Sequence, residues 1–88
     1  MGGYRVEFLP AAIRELKRLD RVVQRQIREK IELLAENPAR LKNNIKPLKG
    51  AFAGKFRLRV RDYRIIFRIE EERVVIIIVR IGHRREIY

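Results

Sequence analysis

Lys55-Phe56-Arg57-Leu58-Arg59-Val60-Arg61-Asp62-Tyr63-Arg64-Ile65-Ile66-Phe67-Arg68-Ile69 is the stretch that decides the fold class. Phe56, Leu58 and Val60 alternate with Lys55, Arg57, Arg59 and Arg61, the period of a strand with one apolar and one cationic face. Asp62 supplies a turn, after which Tyr63, Ile65, Phe67 and Ile69 alternate with Arg64, Ile66 and Arg68. Glu70-Glu71-Glu72 bounds a second hairpin, and the run Val74 to Ile81, apolar except for Arg80, reads as a central strand. Gly82 ends that strand before a polar tail, His83 to Tyr88. The result is an antiparallel meander of three strands.

Upstream, Tyr4, Val6 and Phe8 alternate with Arg5 and Glu7 and predict a further strand. Pro10 suits the first turn of a helix, and Ile13, Leu16 and Leu19 recur at helical spacing up to Asp20. A second helix carries Val23, Ile27, Ile31 and Leu34 on one stripe until Asn37-Pro38 stops it. From Ala39 to Gly54 no period is sustained, and Pro47, Gly50 and Gly54 mark a loop returning to the sheet. The expected class is α+β: a strand, a two-helix hairpin, then the meander, with the helices on one face of the sheet.

At 88 residues, positions 1–88 are expected to form one domain around one core. The chain carries 22 Lys plus Arg against 11 Asp plus Glu, a net charge of +11, which points to a polyanionic partner, with nucleic acid first and an acidic protein second. No amphipathic segment suits a membrane surface, Val74 to Val79 is too short to span a bilayer, and the start of the chain lacks signal-peptide character. No membrane partner is therefore expected, and the absence of cysteine suits the cytoplasm. The chain also lacks serine and threonine, which with the absence of cysteine excludes a hydroxyl or thiol nucleophile triad, and no residue cluster has metal-ligand spacing, so neither a metal nor a cofactor is expected.

Like charges crowded on one strand face cost stability, so the row Lys55, Arg57, Arg59, Arg61 implies a bound anion as compensation. Taken alone, such a row would equally serve solubility or guard an edge strand; the net positive excess favours binding. Arg64, across the turn, either extends the patch or pairs with an acid. Arg84 and Arg85 follow the glycine at the strand's end and gain weight from converging with the other segments. His83, the only histidine, is a candidate for proton transfer and equally a structural residue. Tyr88 suits stacking on a base or a hydrogen bond to phosphate, as well as packing on the sheet. Phe8, Phe56 and Phe67 fall on apolar faces and are assigned to the core.

The order of elements resembles the RelE/ParE toxin superfamily, and more closely its RelE branch. The resemblance spans nearly the whole chain and is most specific in Lys55-Phe56-Arg57-Leu58-Arg59, in Asp62-Tyr63-Arg64 and in Ile81-Gly82-His83-Arg84-Arg85-Glu86-Ile87-Tyr88. It implies the toxin of a type II toxin-antitoxin system: an endoribonuclease that cuts mRNA in the ribosomal A site, silenced by a small, acidic, RelB-like antitoxin. By resemblance Lys55 matches an active-site lysine, and Arg57 falls where the family often has a second one. Arg64 matches the arginine that holds the scissile phosphate, Arg84 the arginine proposed to protonate the leaving group, and Tyr88 the tyrosine that orients the attacked nucleotide. Arg59, Arg61 and Arg85 remain as general RNA-binding cations.

The implied chemistry needs no metal: the ribose 2′-hydroxyl attacks the adjacent phosphorus, leaving a 2′,3′-cyclic phosphate and a 5′-hydroxyl. Arg57, Arg64 and Arg84 would clamp the phosphorane oxygens as charge grows there. An arginine hardly deprotonates, whereas crowded cations favour the neutral form of a lysine, so Lys55 is the base candidate and His83 the alternative. Two departures from the family stand out: Arg57 replaces a lysine, and no C-terminal helix follows Tyr88, so the antitoxin is expected to cover the site or to block entry to the ribosome. The competing expectations are a ParE-like poison of DNA gyrase and a noncatalytic RNA-binding relative.

Overall fold

In the computed structural model, which describes residues 3–87, the elements follow as β1 (Arg5–Phe8), α1 (Pro10–Lys17), α2 (Arg21–Glu36), a 3-10 segment (Pro38–Asn44), β2 (Ile45–Pro47), a 3-10 turn (Gly50–Phe52), β3 (Phe56–Val60), β4 (Tyr63–Glu70) and β5 (Val75–His83). They build one five-stranded sheet in the order β1-β5-β4-β3-β2. The α+β class and the antiparallel β3-β4-β5 meander agree with the sequence pattern. β1 lies beside β5 in parallel, although the helix hairpin and β2, β3 and β4 separate the two strands along the chain.

The helices bury one face of the sheet. Ala12 and Leu16 of α1 and Ile27, Ile31, Leu34 and Ala35 of α2 pack with Leu58, Val60, Ile65, Phe67, Ile76, Ile78 and Ile81. Phe67 is fully buried and stacks on the half-buried Phe56 at 5.6 Å between ring centroids, while Phe8 packs at the edge of the core. Burying Ala12 and Leu16 turns Ile13 outward, so it is 38% exposed despite its place in the apolar pattern.

Four sequence expectations need correction. The loop expected over Ala39 to Gly54 contains β2, which pairs with the edge of β3 through Ile45 and Leu58; a three-residue strand ending in proline is too short to show a period. Val74 is a turn residue with φ of 54°, and β5 starts at Val75. Gly82 does not end β5, which continues through His83 because both residues still pair with β4. The cationic row is shorter than expected: β3 covers Phe56–Val60, so Lys55 precedes the strand and Arg61 lies in the two-residue turn with φ of 54°.

β5 is also irregular. Ile66 pairs with Arg80 but Phe67 with Ile78, so Val79 bulges from the ladder. Beyond Ile78 there is no β1 partner, and α1 takes over that edge: Leu9 N–H donates to the Ile78 carbonyl and Ile81 N–H to Glu15 Oε1, at 2.9 and 2.8 Å. Glu15 Oε2 also accepts from Arg80 Nε at 2.8 Å and stands 2.8 Å from Nη2 of the same guanidinium in an ion pair. One side chain thus satisfies a backbone donor left by the sheet and ties α1 to the end of β5. That bond holds the Arg80 pKa above its ordinary value.

Candidate nucleic-acid interface

The face away from the helices has an apolar floor with charged flanks. Ile66, Val75 and Ile77 are buried there, and their cross-strand neighbours are charged: Arg57 and Arg80 beside Ile66, Arg5 and Glu70 beside Val75, Glu7 and Arg68 beside Ile77. Long charged side chains can lay their stems on apolar surface while the heads stay in water, which suits this arrangement. Ile66, read from the sequence as part of a polar face, belongs to that floor.

Charge divides this face into two halves. Toward the β4-β5 turn the cations meet acids: Arg68 and Arg73 both bond Glu70 at 2.7 Å, and Arg73 reaches Glu7 at 3.0 Å. Hydrogen bonds from Arg68 and Arg73 hold the Glu70 carboxyl below the usual carboxylate range. Glu70, which the sequence marks only as bounding the hairpin, is the centre of this network. Toward the β3-β4 turn the register sets Arg59 of β3 directly across from Arg64 of β4, with Arg57 one pleat repeat away. Lys46 of β2 lies across from Arg57 and adds a cation that the sequence pattern did not reveal.

The β3-β4 turn organises the remaining groups. Arg64 Nη1 donates to the Arg61 and Tyr63 carbonyls at 2.9 and 3.0 Å, so its guanidinium is held against the turn. Arg84 N–H donates to the Asp62 carbonyl at 2.8 Å, and its Nε stands 4.0 Å from Asp62 Oδ1. Both groups of that ion pair are more than half exposed, so the backbone bond, rather than the pair, places Arg84. Asp62 therefore serves as the anchor of the tail as well as a turn residue, a role that no local sequence signal marks.

The tail is pinned a second time. Glu86 and Ile87 N–H both donate to the His83 carbonyl, and Ile87 is buried against Gly82. A Cβ at Gly82 would lie 3.3 Å from Ile87 Cδ1, so the glycine makes room for that contact. Arg85 is exposed beside it, and Tyr88 lies outside the described residues.

The structure brings together Arg57, Arg59 and Arg64 on one face and sets Arg84 beside the same turn. Lys55 precedes β3, two residues before Arg57, while Arg61 is exposed in the turn. His83 is placed differently: its register partner is Tyr63, on the core side of the sheet. The two rings meet edge to face at 5.5 Å, and His83 Nδ1 accepts from Arg85 N–H. This geometry separates His83 from the arginine face. Among the described residues, no three His, Asp or Glu side chains converge in a way that would hold a metal ion, and no helix is long and apolar enough to cross a membrane.

Comparison with known proteins gives the family. Residues 6–88 match the family described as ParE toxin of type II toxin-antitoxin system, parDE. The chain is 34% identical to Toxin RelG of Mycobacterium tuberculosis, over 97% of this chain and 95% of that protein. It is 26% identical to mRNA interferase toxin RelE of Escherichia coli K12, over 98% and 90% respectively. A chain of the toxin-antitoxin complex RelBE2 from Mycobacterium tuberculosis superposes with a TM-score of 0.83 at 32% identity, covering 98% of this chain and 97% of that one. With the matching family model spanning nearly its whole length, the chain belongs to the RelE/ParE superfamily of type II toxin-antitoxin toxins.

Proposed function

We propose that this toxin is an endoribonuclease that cuts mRNA in the ribosomal A site and is held inactive by a small acidic antitoxin of the RelB kind. The observation that carries this reading is the gathering of Arg57, Arg59, Arg64 and Arg84 around the Arg61-Asp62 turn, while the acids of the same sheet face are engaged at its other end. The name of the Escherichia coli relative, mRNA interferase toxin, supports the same reaction class.

In this reading the scissile phosphate lies between Arg57 and Arg64, which are diagonal neighbours with backbones about 7–8 Å apart. The 2′-oxygen forms a bond to phosphorus, the bond from phosphorus to the 5′-oxygen breaks, and the products are a 2′,3′-cyclic phosphate and a 5′-hydroxyl. Negative charge accumulates on the non-bridging oxygens, and fixed guanidinium groups stabilise it. Lys55, which precedes β3 two residues before Arg57, is the group to take the 2′-hydroxyl proton. Arg84 neutralises the departing 5′-oxygen, which takes its proton from solvent. Tyr88 orients the attacked base, and Arg59, Arg61 and Arg85 attract the RNA without reading its sequence.

The test is to map mRNA 5′ ends on programmed ribosomes incubated with the purified toxin. Cleavage within the A-site codon, lost in Arg64→Ala and Arg84→Ala variants that melt normally, is the expected result. Full cleavage by both variants would refute the site. Intact mRNA together with inhibition of DNA gyrase would refute the reaction and favour a gyrase poison, whereas tight RNA binding without cleavage would mark a noncatalytic relative.

A further inference from the structure

Acids and cations separate along the molecule. Glu70, Glu71 and Glu72 stand at the β4-β5 turn, and α2 ends on Glu36 near the same pole, since the Ala35 carbonyl accepts from Tyr4 N–H beside β5. At the opposite pole the junction of α1 and α2 presents Arg18, Arg21 and Arg25, all exposed. Among the described residues none of these three takes part in an ion pair. Asp20 is the acid closest to them in sequence, and the neighbouring Glu15 is engaged by Arg80.

This arrangement works against the helix. The first turn of α2 contains no acid and its last turn no cation, the reverse of the distribution that the helix macrodipole favours. Asp20 at the N-cap of α2 supplies the one acid that suits this end of the helix, and Arg21 and Arg25 stand exposed beyond it with no ion pair among the described residues. The junction also adjoins the tail: Arg18 shares a cavity of about 110 Å³ with Gly82, Glu86 and Ile87, immediately next to the segment that carries Arg84 and Arg85.

We propose that Arg18, Arg21 and Arg25 form a second RNA-phosphate contact surface, which continues the cationic end of the sheet around the pole of the molecule onto the helix hairpin. RNA engaged at Arg57, Arg59 and Arg64 is then gripped again beyond the cleavage position, by contacts that position the backbone without reading bases. The inference rests on the RNA reading of the sheet face. It concerns binding, however, so it is testable apart from cleavage.

The experiment measures binding of a labelled single-stranded 2′-O-methyl oligoribonucleotide, which lacks the attacking hydroxyl and cannot be cut, as a function of salt. Wild type is compared with Arg18→Ala/Arg21→Ala/Arg25→Ala and with Arg5→Ala/Arg73→Ala, which removes cations at the other pole; melting curves confirm that each variant is folded. Single-strand binding loses about 0.7 in log-log salt slope per phosphate contact removed, so the triple variant should show a slope lower by about 2. A fourfold rise in salt then costs the wild type roughly 18-fold more affinity than the triple variant. An unchanged slope, or a loss no larger than that of the distal variant, overturns the proposal. A wild type that does not bind the oligonucleotide overturns this proposal and leaves the A-site reading to the ribosome experiment, whereas a wild type that binds but leaves mRNA intact on programmed ribosomes refutes the cleavage reading alone.

Discussion

Replacing Glu15 by alanine should destabilise this protein more than removing the cation it pairs with. Glu15 accepts hydrogen bonds of 2.8 Å from Arg80 Nε and from Ile81 N–H, forms an ion pair with the same guanidinium, and its side chain is only 24% exposed. Arg80 is 41% exposed, so solvent screening limits the ion pair to about 1 kcal/mol. The Ile81 amide is different: it sits where β1 has ended, and without the carboxylate its donor is left part-buried and unmet, a cost of about 1–3 kcal/mol. Glu15→Ala should therefore lose about 2–4 kcal/mol, and Arg80→Ala about 1. Glu15→Gln, which keeps an oxygen for Ile81 but loses the charge, should also cost about 1 kcal/mol. For a domain of this size each kcal/mol lowers Tm by about 4–8 °C, so the three variants separate clearly in thermal melts followed by circular dichroism. If Arg80→Ala is as damaging as Glu15→Ala, or Glu15→Gln equals Glu15→Ala, the backbone bond is not the main contribution and the reasoning fails.

Arg61 and Val74 both adopt φ of 54°; Arg61→Gly and Val74→Gly should each raise stability by roughly 0.5–1.5 kcal/mol in urea titrations, once the unfolded-state entropy of glycine is counted. A loss of stability in both would contradict the strain assigned to these turns. At Gly82, alanine should be tolerated with a small shift of Ile87, whereas valine should cost about 1–3 kcal/mol through overpacking and release the tail, seen as faster hydrogen exchange at the Arg84 and Ile87 amides. Glu70 has a folded-state pKa below its ordinary value of 4.5, so its contribution is present above that pH and fades as the pH falls through the lowered value. Glu70→Gln should accordingly narrow its stability gap to wild type on acidification below about pH 4.5; a gap independent of pH would show that the carboxylate's charge is not what Arg68 and Arg73 use.

Much of the site was legible because alternation is a local property. The period of two assigned Arg57, Arg59 and Arg64 to one face, and a two-residue turn at Asp62 makes Arg59 and Arg64 neighbours in register. Local pattern could not tell which groups face each cation across the sheet: Arg68 meets Glu70, and the β2 edge sets Lys46 across from Arg57. His83 shows the same limit: by sequence it adjoins Arg84, but the pleat turns it to Tyr63 and the core side.

The sequence by itself determined the class of fold, the extent of both helices to within a few residues, the meander and the strong net positive charge. Each of these follows from spacing along the chain and from composition. Only the tertiary structure decided the parallel return of β1, the short β2 edge, the bulge at Val79 that Glu15 repairs, and the anchoring of Arg84 on Asp62. These depend on contacts between residues such as Glu15 and Ile81, 66 positions apart. The free energy of such contacts arises only once the strands and helices are packed, so no window of sequence contains it.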